Sequence, residues 1–191
     1  MSNKAALAII VPPTTGMART WRAGSFHDDA WRVLEDGAPW PKQGSLIVSL
    51  ARWRDAAGEL PAAEGLKVGL ALTAKDDLDP AVDNLHRLAL IVLTFPKFTD
   101  GRAYSVARRL REQWGYRGEL RASGDVLFDQ LPLMLRCGFD SFTITDAATI
   151  GELQRTGLPR PERMYQSPSL VCAHNVQTSR DEHEQALFAA E

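Results

Sequence analysis

Leu88-Ala89-Leu90-Ile91-Val92-Leu93-Thr94-Phe95-Pro96 is apolar nearly throughout and then stops at a proline. A run of this length without polar alternation suits a strand covered on both faces, the pattern of a parallel sheet. Pro96 closes it, because proline has no N–H to extend a ladder. Directly downstream, Ala103, Ala107, Leu110 and Trp114 recur at helical spacing, with Asp100 and Gly101 offered as an N-cap and Gly115 as the stop. A strand followed at once by an amphipathic helix is a βα unit.

The same unit repeats on both sides of that stretch. Residues 46–50 and 66–72 read as strands upstream, and 119–122 and 139–144 downstream. A helix is expected over 125–137, with Leu127, Leu131 and Met134 on one stripe and Gly138 as the stop. Pro132 should kink or split it, since proline removes a backbone hydrogen bond. Another helix covers 147–155; the crossovers at 53–63 and 76–87 are poor in periodicity. The expected fold is α/β: repeated βα units forming a mainly parallel sheet of about five strands, either open or an incomplete TIM-like barrel. Eight strands are not expected to fit, which excludes a complete barrel.

An incomplete barrel leaves its inner face open unless an arm, a tail or a second subunit covers it. Residues 1–45, with Trp21, Trp31, Trp40 and the turn-rich Asp36-Gly37-Ala38-Pro39, read as an irregular or hairpin arm able to do so. The domain reading is one α/β domain over 1–157, made of the arm (1–45) and the repeats (46–157). An extended tail over 158–191 follows, with Pro159, Pro161 and Pro168 and an acidic end. An oligomer is compatible with this reading.

Bulk composition narrows the function classes. The chain has 191 residues, 45% hydrophobic and 24% charged, which is ordinary for a soluble globular domain. A formal net charge of −2 gives no case for nucleic acid or an anionic membrane. The run Ala5–Val11 is short for a signal-peptide core and reads as an opening strand, and no run approaches the roughly 20 residues needed to cross a bilayer. A cytoplasmic protein is expected. Cys137 and Cys172 cannot form a four-thiolate site. Cys137, at a helix C-terminus, reads as packing, and Cys172 with His174 carries little of a nucleophile–base pair. The histidines lack metal spacing, and no dinucleotide, P-loop or nucleophile-elbow motif is present, so no metal is expected and the cofactor is unknown.

Ligands of parallel sheets bind beyond the carboxyl ends of the strands. That rule selects Lys97, Asp100, Arg102 and Tyr104 after one strand, and Arg121, Asp125 and Asp129 at and after the next. The segment 97–121 holds seven Lys/Arg against three Asp/Glu. A basic mouth beside two helix N-termini would suit a small anion. The structural readings stand beside this one. Asp100 and Asp125 are placed to cap helices, and Arg108, Arg109 and Arg111 belong on a solvated helix face. Arg121 needs a partner such as Asp125 or Asp100, and Asp125 with Asp129, one helical turn apart, has the spacing of a divalent-cation pair.

Residues 93–105 (Leu93-Thr94-Phe95-Pro96-Lys97-Phe98-Thr99-Asp100-Gly101-Arg102-Ala103-Tyr104-Ser105), with Gly115-Tyr116-Arg117-Gly118-Glu119-Leu120-Arg121-Ala122, Gly124-Asp125-Val126-Leu127 and Arg136-Cys137-Gly138-Phe139-Asp140, carry a resemblance. They resemble an uncharacterised bacterial family labelled an oxidoreductase of sulfite reduction and encoded beside sulfite reductase. Ala103 departs from that family's usual glycine. The resemblance implies an accessory protein of assimilatory sulfate or sulfite reduction, with sulfite reductase as a partner, and it carries over no catalytic residues. The expected function is binding of a small oxyanion or anionic metabolite by Lys97, Arg102 and Arg121, with Tyr104 donating a hydrogen bond and Asp125 orienting Arg121. The alternatives are an oxidoreductase component with Tyr104 or Asp125 as proton donor, and a non-catalytic interaction partner of sulfite reductase.

Overall fold

The computed structural model describes residues 19–56, 65–76 and 84–158. The expected opening strand, the Cys172–His174 pair and the tail from residue 159 lie outside the described residues. Among the described residues there are eight strands: β1 (Arg19–Arg22), β2 (Ser25–His27), β3 (Trp31–Val33), β4 (Gly44–Ser49), β5 (Leu66–Thr73), β6 (Leu90–Phe95), β7 (Glu119–Gly124) and β8 (Ser141–Ile144). Four helices accompany them: α1 (Leu50–Ala56), α2 (Arg102–Glu112), α3 (Leu131–Arg136) and α4 (Ala147–Thr156). The strands form one sheet in the order β2-β1-β8-β7-β6-β5-β4-β3. From β3 to β8 all neighbours are parallel, and β1 runs antiparallel to both β8 and β2.

The five expected strands are β4 to β8, but the sheet is an eight-stranded mixed one. The difference lies in the arm. It supplies a β1–β2 hairpin to one edge and β3 to the other, and eight strands fit because these three are only 3 or 4 residues long. Its path also fixes the curvature. β2 ends at His27 and β3 begins at Trp31, a span of four residue steps that reaches about 14 Å at most. In a flat sheet, eight strands would hold those edges roughly 34 Å apart. The sheet must therefore curl into a half-barrel, with residues 28–30 crossing its mouth.

Alternation along the strands assigns two faces. Val48, Leu70, Leu72, Ile91, Leu93, Phe95, Leu120, Phe142 and Ile144 join Trp53, Ala107, Leu110, Leu131, Met134 and Leu153 of the helices in the main core. Ile47, Ala71, Leu90 and Val92 form a second cluster on the concave face, where Trp31 packs on them. The indole lies close to the backbone of β5, and a Cβ on Gly69 would stand 3.1 Å from Trp31 Cζ3. The arm thus covers part of the inner face. β6 is buried along its whole length, as its unbroken apolar run requires.

The expected helix over 125–137 is divided at its proline. Leu127 is extended, Phe128–Gln130 form a single 3₁₀ turn, and α3 starts at Leu131, so Pro132 falls in a first turn where its missing N–H costs nothing. Asp125 and Asp129 therefore do not share a helix face. Asp146 caps α4, its carboxylate accepting the Thr149 N–H at 2.6 Å. Cys137 is buried, as its packing role requires. No helix among the described residues is long and apolar enough to cross a membrane.

Candidate functional site

Six of the seven expected site residues follow the carboxyl ends of β6 and β7. The two loops there are latched to each other. Gly124 has φ +92°, and a Cβ on it would lie 2.3 Å from the Phe95 carbonyl oxygen, so only glycine allows the approach. Asp125 N–H then donates to that same carbonyl at 2.8 Å. The Asp125 carboxylate accepts the Phe98 N–H at 2.8 Å, and Gln130 Nε2 donates to the Phe98 carbonyl at 2.9 Å. Asp125 was expected to cap a helix or to orient Arg121. It holds the loop that carries Lys97 instead.

Within that loop, Arg102 grips Asp100 by Nε–Oδ1 (2.9 Å) and Nη2–Oδ2 (2.6 Å). The hydrogen bond from Arg102 lowers the Asp100 carboxyl to about 2. This pair is solvent-exposed on the Arg102 side, so its net contribution to stability is small. Gly101 occupies the N-cap position of α2, and the Asp100 carboxylate, one residue earlier, accepts the Arg102 N–H of its first turn at 3.3 Å. Lys97 is exposed and Asp129 is exposed. Tyr104 is half-buried with its ring 5.2 Å from Phe95, and burial raises its phenol, which keeps it a hydrogen-bond donor at neutral pH. Lys75, in the loop after β5, lies within electrostatic reach of Asp100. Only the β5–β6 pairing brings it there, and no spacing motif marked it.

The cations of residues 97–121 do not converge into one basic mouth. Arg108 reaches Glu112 at 3.3 Å along α2, and Arg109 stacks over Trp114 at 4.7 Å. Arg111 was expected on the solvated face and is 3% exposed. Its fork donates to the carbonyls of Gly138 (3.0 Å), Tyr116 (2.8 Å) and Gly118 (2.8 Å) and to Asp140 at 2.5 Å. Burial raises the Asp140 carboxyl, against the lowering effect of Arg111. Burial likewise raises the Tyr116 phenol.

Arg121 also lies away from the Lys97–Arg102 loop. It points onto the concave face at 4% exposure, bonded to Asp29 (2.7 Å), Glu119 (2.8 Å) and Ser141 (3.3 Å) rather than to Asp100 or Asp125. Glu119 in turn accepts Ser141 Oγ at 2.6 Å and Arg22 at 3.2 Å. Burial alone would raise the Glu119 carboxyl, but Arg121, Ser141 and Arg22 overcome it and hold it below its ordinary value. A cleft of about 90 Å³ opens beside Arg121, walled by Thr20, Arg22, His27, Asp28, Asp29, Ala30 and Trp31. Neither Lys97 nor Arg102 belongs to it. Alternation of Glu119, Arg121 and Ser123 against Leu120 and Ala122 was the signal for a polar inner face; its partner Asp29, 92 positions away, had none.

Among the described residues, no group of three or more His, Cys, Asp or Glu is placed to hold a metal ion. A comparison with curated proteins finds no match. Residues 69–171 match a family described as bacterial protein of unknown function (DUF934). The matched region starts inside β5 and runs past α4, taking in the latched loops, Arg111 and Arg121 but not the arm that supplies Asp29. Because that match spans more than half of the chain, this protein belongs to the DUF934 family of bacterial proteins.

Proposed function

We propose that the protein is an accessory of assimilatory sulfate and sulfite reduction that binds a small oxyanion or anionic metabolite at the C-terminal edge of its parallel strands. The observation that carries the reading is the start of α2: an eleven-residue helix whose first turn, with the Asp100 carboxylate on its Arg102 N–H, opens beside Lys97 and Arg102 in a loop latched by Gly124 and Asp125. Such an end offers N–H groups and a positive dipole to an anion. Arg102 takes the anion by exchanging its exposed bond to Asp100, Lys97 adds charge, and Tyr104 donates a hydrogen bond. Asp125 is a positioning residue, and Arg121 supports the sheet from within. The resemblance in residues 93–105 supports the link to sulfite reduction.

The test is a melting and calorimetric titration of the full chain with sulfite, sulfate and phosphate. Sulfite or sulfate raises the Tm of the wild type, and the Lys97→Ala/Arg102→Ala double variant folds but loses the response. Absence of a response to all three anions in the wild type overturns the reading.

A second reading, a non-catalytic partner of sulfite reductase, draws on a separate feature. Phe98 (49% exposed) and Leu133 (46% exposed) belong to the two segments that Gln130 joins. Co-purification with sulfite reductase that is lost in Phe98→Ser/Leu133→Ser, without any anion response, selects that reading.

A further inference from the structure

The cleft on the concave face stands apart from the latched loops. We propose that it binds a small zwitterion of the amino-acid type, its carboxylate on Arg121 and Arg22 and its ammonium on Asp28 and Asp29. Three observations lead there. First, Arg121 is a built, buried recognition group with donors to spare. Of its five N–H groups, Nε–H is shared by Glu119 and Ser141, and each terminal nitrogen gives one N–H, to Asp29 and to Glu119. One N–H on each terminal nitrogen is left without a partner among the described residues, and Arg121 lines the cleft.

Second, the charges around the cleft are of both signs. Arg22, Arg121, Asp28 and Asp29 all line it, Arg121 is paired with Asp29 at 2.7 Å, and Glu119 binds both arginines from behind. A sulfate-like dianion would meet three carboxylates with only two guanidinium groups to offset them. A simple cation would leave the Arg121 donors unused. A molecule with one charge of each sign satisfies both sets at once. Third, a cleft of about 90 Å³ is far below the 300–1,000 Å³ of drug- or cofactor-sized sites, so the occupant is a small metabolite. Trp31 supplies an apolar wall for a short side chain, its ring packed on the concave cluster and its backbone N–H donating to Asp29 Oδ1 at 3.2 Å. His27 is engaged within the hairpin, bonded to Ser25 Oγ and the Arg22 carbonyl.

The experiment titrates the full chain with glycine, alanine, serine and cysteine, each against acetate, methylammonium and sulfate at equal concentration. The readouts are calorimetry, Tm and tryptophan fluorescence. At least one amino acid binds the wild type, shifts the Trp31 signal and raises Tm by about 5–10 °C at hundredfold excess over Kd. Acetate, methylammonium and sulfate give a small fraction of that effect. Arg121 variants threaten the fold, so Asp28→Asn, at an exposed position, carries the test: it folds like the wild type and weakens binding at least tenfold. A Trp31→Phe variant loses the fluorescence change. No binding of any of the four amino acids, equal binding by Asp28→Asn, or acetate or sulfate reproducing the full effect would each overturn the proposal.

Discussion

The two ends of the parallel strands handle charge in opposite ways. At the amino ends of β7 and β8, Arg111 is buried and every arm of its fork meets a carbonyl or Asp140, whose carboxylate also accepts the Leu120 N–H at 2.9 Å. At the carboxyl ends, Arg102 is exposed and holds a single neighbour, Asp100. A buried guanidinium must have each donor satisfied, because desolvation is otherwise uncompensated. An exposed one is indifferent to its partner and free to exchange it. Arg111 at the amino ends therefore serves stability, and Arg102 at the carboxyl ends keeps a partner it can exchange.

The strongest challenge to this contrast is Arg111→Ala. It orphans three carbonyls and Asp140, and a loss of about 3–5 kcal/mol, or about 6–20 °C in Tm, is expected in urea or thermal unfolding. Arg111→Lys recovers little, since one ammonium cannot reproduce the fork. An effect below about 1 kcal/mol would erase the distinction between the two ends. Arg121→Met comes next at about 3 kcal/mol, because Asp29 and Glu119 lose their shared partner. Adding Glu119→Gln to that variant recovers part of the loss, and additive effects would break the assigned network.

Gly124→Ala sharpens the comparison from the other end. The positive φ and the clash with the Phe95 carbonyl cost about 2–3 kcal/mol. Its distinguishing sign is a weakened anion response at temperatures where the variant is still folded. The pH dependence supplies another check. Glu119 has a folded pKa below its ordinary 4.5, so its contribution is fully present above that pH and is lost as the pH falls through the lowered value. Glu119→Gln therefore flattens the acid limb of the stability profile below about pH 4.5; an unchanged limb would remove Glu119 from the buried network. The smallest stability effect belongs to Arg102→Ala, within about 0.5 kcal/mol, while anion binding falls. A large loss of stability there would place Arg102 with Arg111.

Much of this was legible in order of residues alone. The apolar run ending at Phe95-Pro96 forms β6, the periodic stretch after it forms α2, and the proline at 132 divides the expected helix, because strand burial, helical spacing and the missing N–H of proline act over a few neighbouring positions. The site was legible only where it is local. Residues 97–104 gather after β6, but Lys75 joins them through sheet pairing. Arg111 and Arg102 lie on the same helix and have opposite surroundings, and periodicity placed Arg111 on the solvated face although it is buried. The arm shows the limit most plainly. Its three tryptophans and its turn signals marked a cover for the inner face, yet nothing in residues 28–30 announced that they cross the mouth of a half-barrel. That path, and the meeting of Asp29 with Arg121, follows from the curl that lets four residue steps join the two edges of an eight-stranded sheet. Local chemistry chose the elements; chain connectivity acting on the closed-up sheet decided which charges became neighbours.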